Sequence, residues 1–171
     1  MERAMKKCVF LLSSLMLCSI SLSALPVIPF TIGAAFPNYE HGYLMFNTGA
    51  YFPLEGNMEF SLTGSFGVRT ETLADDSVNA YFFIPINCGV NFLFPRTSGV
   101  TFFSGFGMNT QMIWEDDYSF HLGPYAKAGI RYRVHKNLQL LVEIQQDLTF
   151  GPPAWINTTT QVLAGIVCNF N

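Results

Sequence analysis

From residue 28 onward, apolar side chains recur at every second position in eight separate runs: 28–36, 43–53, 58–69, 80–94, 100–113, 120–134, 138–150 and 158–170. A period of two is the signature of a strand with unlike faces. In all eight runs the apolar set is even-numbered. The seventh run places Leu138, Leu140, Val142, Ile144, Leu148 and Phe150 on one face and Gln139, Glu143, Gln145, Asp147 and Thr149 on the other. The eighth repeats this with Val162, Ala164, Ile166, Cys168 and Phe170. Every strand cation (Arg69, Lys127, Arg131, Arg133) is odd-numbered.

Alternation alone does not say which face is inside, since a soluble lipid-carrying barrel has the same period with the apolar face inward. Three features put it outward. The polar face is Gly, Asn, Gln, Ser, Thr and Tyr with few charges, a poor exterior for a soluble protein. Glycines 33, 49, 67, 89, 105, 107, 123, 129 and 165 are all odd, which suits the crowded interior of a small barrel. Trp114 and Trp155, with Tyr39, Tyr118 and Phe150, cluster at one set of run ends, and Phe52, Phe94, Tyr132 and Phe170 at the other. Those are the two aromatic girdles of a membrane barrel.

Composition agrees. Charged residues make up only 12% and aromatics 15% of the chain, against about 25% charged in ordinary soluble domains. No segment after the N-terminal region has the ~18 consecutive apolar residues of a membrane helix. A closed barrel is then the membrane solution that leaves no backbone group unsatisfied.

The first residues are read separately. Arg3, Lys6 and Lys7 precede an apolar stretch from Val9 to Ile20, and Ser21 and Ser23 give a cleavage site. Residues 1–23 are therefore expected to be a signal peptide, and residues 24–171 the barrel. Lipidation at Cys18 is the competing reading, disfavoured by the large Leu17 before it. Loss of the leader leaves six basic and eleven acidic residues. With no basic stripe, nucleic acid is not an expected partner.

Connections alternate in kind. Tight ones follow the second, fourth and sixth runs: Leu54–Asn57, Pro95–Gly99 and His135–Asn137. Longer polar ones follow the first, third and seventh, with Trp114–Ser119 after the fifth. This predicts an integral outer-membrane protein with its N-terminus and tight turns periplasmic and its longer loops extracellular.

On this pattern the chain resembles the small eight-stranded outer-membrane proteins of the OmpA-transmembrane-domain, OmpX and OmpW type. The most specific piece is Val162–Phe170, similar to the C-terminal signal by which the outer-membrane assembly machinery recognises its clients. Phe170 stands as the terminal aromatic, although Asn171 follows it. The resemblance implies an all-β, antiparallel up-and-down barrel surrounded by outer-membrane lipid. No further periplasmic domain, and so no cell-wall anchoring, is expected.

Candidate chemistry is sparse. Opposed residues of an antiparallel hairpin have a constant index sum. Arg131/Glu143 and Lys127/Asp147 share the same one, which would stack two ion pairs between neighbouring strands. Glu59 is expected to join Arg133 near the periplasmic end. This network reads as a structural plug, since eight strands leave an interior just wide enough for side chains, or alternatively as a gate. Glu71, Asp75 and Asp76, then Glu115, Asp116 and Asp117, form acidic loops. They read as solvated surface or, less directly, as a divalent-cation site. The aromatics Trp114, Tyr118, Trp155 and Phe170 are the expected interfacial anchors. His121 faces inward with Ser119 and Glu115 nearby in sequence, but the lipid-acylhydrolase order of His followed two residues later by Ser is interrupted by Gly123. Cys88 and Cys168 fall on distant strands and are expected to be free thiols. The expected function is a non-enzymatic surface barrel without cofactor or metal, offering loops to an extracellular ligand. The alternative is a narrow OmpW-type conduit for small hydrophobic or ionic solutes.

Overall fold

The computed structural model describes residues 25–72, 76–95, 99–115, 117–153 and 155–170. The expected signal peptide lies outside them. Eight strands close into one antiparallel barrel in chain order: β1 (Val27–Pro37), β2 (Tyr43–Pro53), β3 (Met58–Thr72), β4 (Val78–Pro95), β5 (Val100–Trp114), β6 (Tyr118–His135), β7 (Leu138–Thr149) and β8 (Asn157–Asn169). β8 pairs back onto β1.

The register explains why one parity serves all eight strands. Val27 on β1 pairs with Tyr51, Tyr51 with Ser61, Ser61 with Gly89, Gly89 with Gly107, Gly107 with Tyr125, Tyr125 with Asp147 and Asp147 with Thr159. Thr159 then meets Pro37, ten residues beyond the start. Every step joins odd to odd, so no strand turns its face over. A stagger of ten over eight strands tilts them by about 40° and sets a backbone radius of about 8 Å.

Burial follows the same rule. Phe30, Phe66, Phe106, Ile130, Val142 and Ile166 are exposed on the outer wall, and Tyr43, Tyr51, Phe83, Asn109, Gln111 and Asp147 are buried inside. Two apolar clusters sit within the barrel. Tyr51, Phe103, Leu141 and Val167 lie toward the turn rim, and Ala35, Tyr43, Met45, Tyr81, Phe83 and Leu163 toward the loop rim. The space for these rings comes from glycines on the same face. A Cβ added at Gly129 would stand 2.5 Å from Phe103 Cζ, so the tip of the ring fills the space a side chain at 129 would take. Cys88 and Cys168 are free thiols on β4 and β8.

At the turn rim Gly56 (φ 70°) and Gly99 (φ 80°) take the left-handed conformation that glycine tolerates. The opposite rim differs from expectation. β3 and β4 continue pairing through Glu71↔Asn79 and Thr72↔Val78, and β5 and β6 through Trp114↔Tyr118. The connection expected over Trp114–Ser119 shrinks to residues 115–117. Polar residues past the apolar wall can stay in the ladder because both faces of a strand there are solvated. The hairpins therefore stand above the wall in place of long loops.

Candidate functional site

The interior side chains of Glu59, Lys127, Arg131, Glu143 and Asp147 are brought together, but in pairings other than those expected. The β6–β7 register places Arg131 opposite Leu141, Lys127 opposite Gln145 and Asp147 opposite Tyr125. Opposing Arg131 to Glu143 would require a turn centred on Asn137. The turn is tighter, with His135 paired to Leu138, and an irregularity between Arg133 and His135 shifts the ladder. Neither expected pair is therefore in register.

Three polar levels fill the barrel instead. Nearest the turn rim, Arg131 on β6 reaches across the lumen to Glu59 on β3, Nη1 donating to Oε2 at 2.9 Å and Nη2 to Oε1. Asn91 donates to the same carboxylate at 2.7 Å. The guanidinium lies 4.6 Å from the Tyr51 ring centroid and 4.9 Å from that of Phe103. Above it, Lys127 forms a 3.8 Å ion pair with Glu143 and donates to Ser61 at 3.4 Å. At the third level Asp147, fully buried, accepts from Gln111 (3.1 Å), Gln145 (2.6 Å) and Gln161 (2.8 Å). Its partners are amides and not Lys127. Thr149 and Thr159 donate to the Gln111 carbonyl, and Gln145 to Asn87. Arg133, expected inside with Glu59, is exposed. It lies beside the ladder irregularity between Arg133 and His135, and Arg131 already occupies Glu59.

These amides are the residues that strand-neighbour reasoning passes over. Asn87, Asn91, Asn109, Gln111, Gln145 and Gln161 are all odd-numbered and buried. Parity alone marks them as inward. Their partners come from several strands, so no local spacing announces them.

At the loop rim, Tyr43 donates to Glu115 Oε1 at 2.6 Å. Arg69 lies 3.5 Å from Glu115 and 3.4 Å from Glu71, with its guanidinium 4.3 Å from the Tyr81 ring centroid. Two of the acidic-loop residues thus form part of a rim ion-pair network, which the sequence reading did not anticipate. Asp76 and Asp117 lie on separate connections, and Asp75 and Asp116 fall outside the described residues. Among the described residues no group of three or more His, Cys, Asp or Glu is arranged to hold a metal ion. His121 Nε2 is 3.0 Å from the Pro152 carbonyl oxygen, while Glu115 is engaged by Tyr43 and Arg69. Glu115, Ser119 and His121 line one concavity at the loop rim, but His121 is bonded to Pro152 and Glu115 to Tyr43 and Arg69 rather than to one another.

On the outer wall Trp114 and Tyr118 face each other with ring centroids 5.2 Å apart. Trp155 and Phe170 are exposed at opposite rims. Tyr39, at φ 60°, leans over β8, where its hydroxyl lies 3.0 Å from that of Thr160, whose own hydrogen goes to Gln146 Oε1. Shallow concavities mark both the outer wall and the loop rim. Those on the outer wall are lined by even-numbered side chains such as Phe46, Ile130 and Phe82, and those at the loop-rim mouth by Glu115, Ser119 and Pro153.

No protein-family model matches the chain, and no curated protein matches its sequence. Solved structures do. Neisserial surface protein A (NspA) superposes with a TM-score of 0.72 at 12% identity, over 85% of this chain and 97% of that one. Ail, the attachment invasion locus protein of Yersinia pestis, solved in complex with the heparin analogue sucrose octasulfate, superposes at 0.54 and 12% identity, over 85% and 99%. A de novo designed transmembrane β-barrel reaches 0.50 at 13% identity, over 84% and 93%. The fold is that of the small eight-stranded outer-membrane barrels, and the apolar outer wall is the surface such a barrel presents to lipid.

Proposed function

We propose that this chain is a non-enzymatic integral outer-membrane protein, exported by a cleaved leader at residues 1–23. Its filled barrel anchors the β3–β4 and β5–β6 hairpins at the cell surface, where they meet an extracellular ligand. The observation that carries this reading is the interior. Cross-barrel Arg131–Glu59, Lys127–Glu143 and the Asp147–amide level are stacked between two apolar clusters. A lumen about 8 Å in radius at the backbone has little room beyond those side chains. Glu59, Lys127, Arg131, Glu143 and Asp147 act as a plug on this account. The surface residues Glu71, Glu115 and Asp117 belong to the binding rim. Insertion would begin with recognition of β8 and Phe170 by the outer-membrane assembly machinery.

A narrow conduit is the second reading. Buried atoms without a hydrogen-bond partner, among them Tyr51 Oη, both side-chain polar atoms of Asn109, Tyr125 Oη and Gln161 Oε1, favour it, because a file of water would satisfy them. Single-channel recording of the refolded chain in a planar bilayer separates the two. The plug predicts electrical silence from protein that is demonstrably folded. Reproducible openings would establish the conduit and make the Lys127 level its gate.

A further inference from the structure

We propose that the β3–β4 seam on the outer wall binds a neutral apolar molecule carrying a hydroxyl group midway along its body. A proline breaks the ladder there, in the interior of a strand where proline is rare. β3 pairs with β4 as far as Gly64↔Ile86 and resumes at Gly67↔Phe83, which leaves Ser65 and Phe66 without a ladder partner on β4. On the other side of β4 the pairing runs unbroken through Ile84↔Met112, Pro85↔Gln111 and Ile86↔Thr110. The same register carried across the break sets Ser65 opposite Pro85. Hydrogen-bonded residues of an antiparallel pair exchange both bonds, each N–H donating to the other's carbonyl. Proline has no N–H to give. A break toward β3 with none toward β5 means that the Pro85 nitrogen faces Ser65. The Ser65 carbonyl is thereby left without its ladder donor.

That backbone opens outward. The Ser65 side chain is inside the barrel, donating to Asn47 Oδ1 at 3.0 Å, yet Ser65 also lines a concavity of about 840 Å³ on the outer wall. It does so through its main chain. Gly64 leaves the place uncovered, since nothing stands within 4 Å of where its Cβ would be. Phe30, Phe46, Phe66, Ile84 and Ile86 form the apolar flanks, and Thr48 adds an exposed hydroxyl-bearing side chain. Pro85 is buried on the inward face, so its ring stands on the lumen side of the seam. In hydrocarbon an unsatisfied carbonyl is costly, and acyl chains have no donor to offer it. These facts select the occupant. It is apolar, to lie against phenylalanine and isoleucine, and it brings one donor. It is uncharged, because an ion at this depth is penalised. Depth also excludes a chain held by a lipid headgroup. Ser65 is the middle residue of β3, and Gly64 is central in the outward row Phe60, Leu62, Gly64, Phe66 and Val68. A free alcohol with apolar groups on both sides of its hydroxyl-bearing carbon has this chemistry.

The site is independent of whether the barrel conducts and of what its rim meets. The refolded chain in phosphatidylcholine nanodiscs is labelled with ¹³C at serine carbonyls and ¹⁵N at phenylalanine. Serine precedes phenylalanine at Ser65–Phe66 and Ser119–Phe120, so the second pair is an internal control. Titration with dicyclohexylmethanol is expected to move the Ser65 carbonyl resonance saturably and leave that of Ser119 in place. Dicyclohexyl ketone, similar in shape but without the donor, should move neither. Pro85→Ala restores the missing N–H. It should shift the Ser65 carbonyl before any ligand is added and weaken binding of the alcohol by about tenfold or more, the scale of one hydrogen bond. Gly64→Leu covers the opening without changing the ladder and should weaken binding as much. It decides the matter if Pro85→Ala does not fold. An unshifted Ser65 carbonyl in Pro85→Ala, a non-saturating response, an equal response to the ketone, or wild-type affinity in either variant would overturn the site.

Discussion

Arg131 and Glu59 are joined across the lumen through both terminal guanidinium nitrogens, from β6 to β3, between the rings of Tyr51 and Phe103. Both side chains are buried. Removing one leaves the other charged and unsatisfied. Arg131→Met and Glu59→Leu should each destabilise the barrel by about 3–5 kcal/mol, and the double variant by much less than their sum. Urea unfolding in micelles measures all three.

Lys127 belongs to Glu143 and not to Asp147. A double-mutant cycle on Lys127→Met and Glu143→Leu should show strong coupling, while Lys127→Met with Asp147→Leu should come closer to additivity. Strong coupling between Lys127 and Asp147 would place the two levels in direct contact and contradict the structure.

Asp147 tests the amide level by itself. Asp147→Leu orphans N–H groups of Gln111, Gln145 and Gln161, so a loss of several kcal/mol is expected. Asp147→Asn keeps an acceptor oxygen and should cost less. Comparing the two unfolding midpoints isolates hydrogen bonding from packing.

The outer wall is tested by charge. Val142 and Ile166 face outward, and Val142 is 56% exposed to what would be lipid. Arg at either position should cost ~2–4 kcal/mol if it reaches the hydrocarbon midplane. Folding in lipid vesicles with wild-type stability would reverse the inside–outside assignment.

Gly129 is held small by the Val142 carbonyl oxygen, which an added Cβ would meet at 2.4 Å, and by Phe103. Gly129→Val must displace that ring from backbone it touches and uncover Arg131 beneath it. Loss of stability of about 1–3 kcal/mol is expected, with partial rescue by Phe103→Leu.

What the chain determines by itself is the wall. Parity repeats from Ile28 to Phe170 because a lipid-exposed face and a packed face select different side chains at every position, so strand existence and facing are local properties. The turns at Gly56 and Gly99 are local for the same reason. The contents of the barrel are not. Arg131 could be matched by index sum only to residues on β7, yet a barrel this narrow lets a long side chain reach a strand 72 residues away. The extent of the β3–β4 and β5–β6 hairpins was likewise hidden, because polar alternation beyond the lipid reads as loop whether or not the ladder continues. Closure of β8 on β1 and a stagger of ten decide which odd-numbered side chains share a level. Those are global quantities, and they settle that Asp147 is satisfied by three amides while Lys127 goes to Glu143.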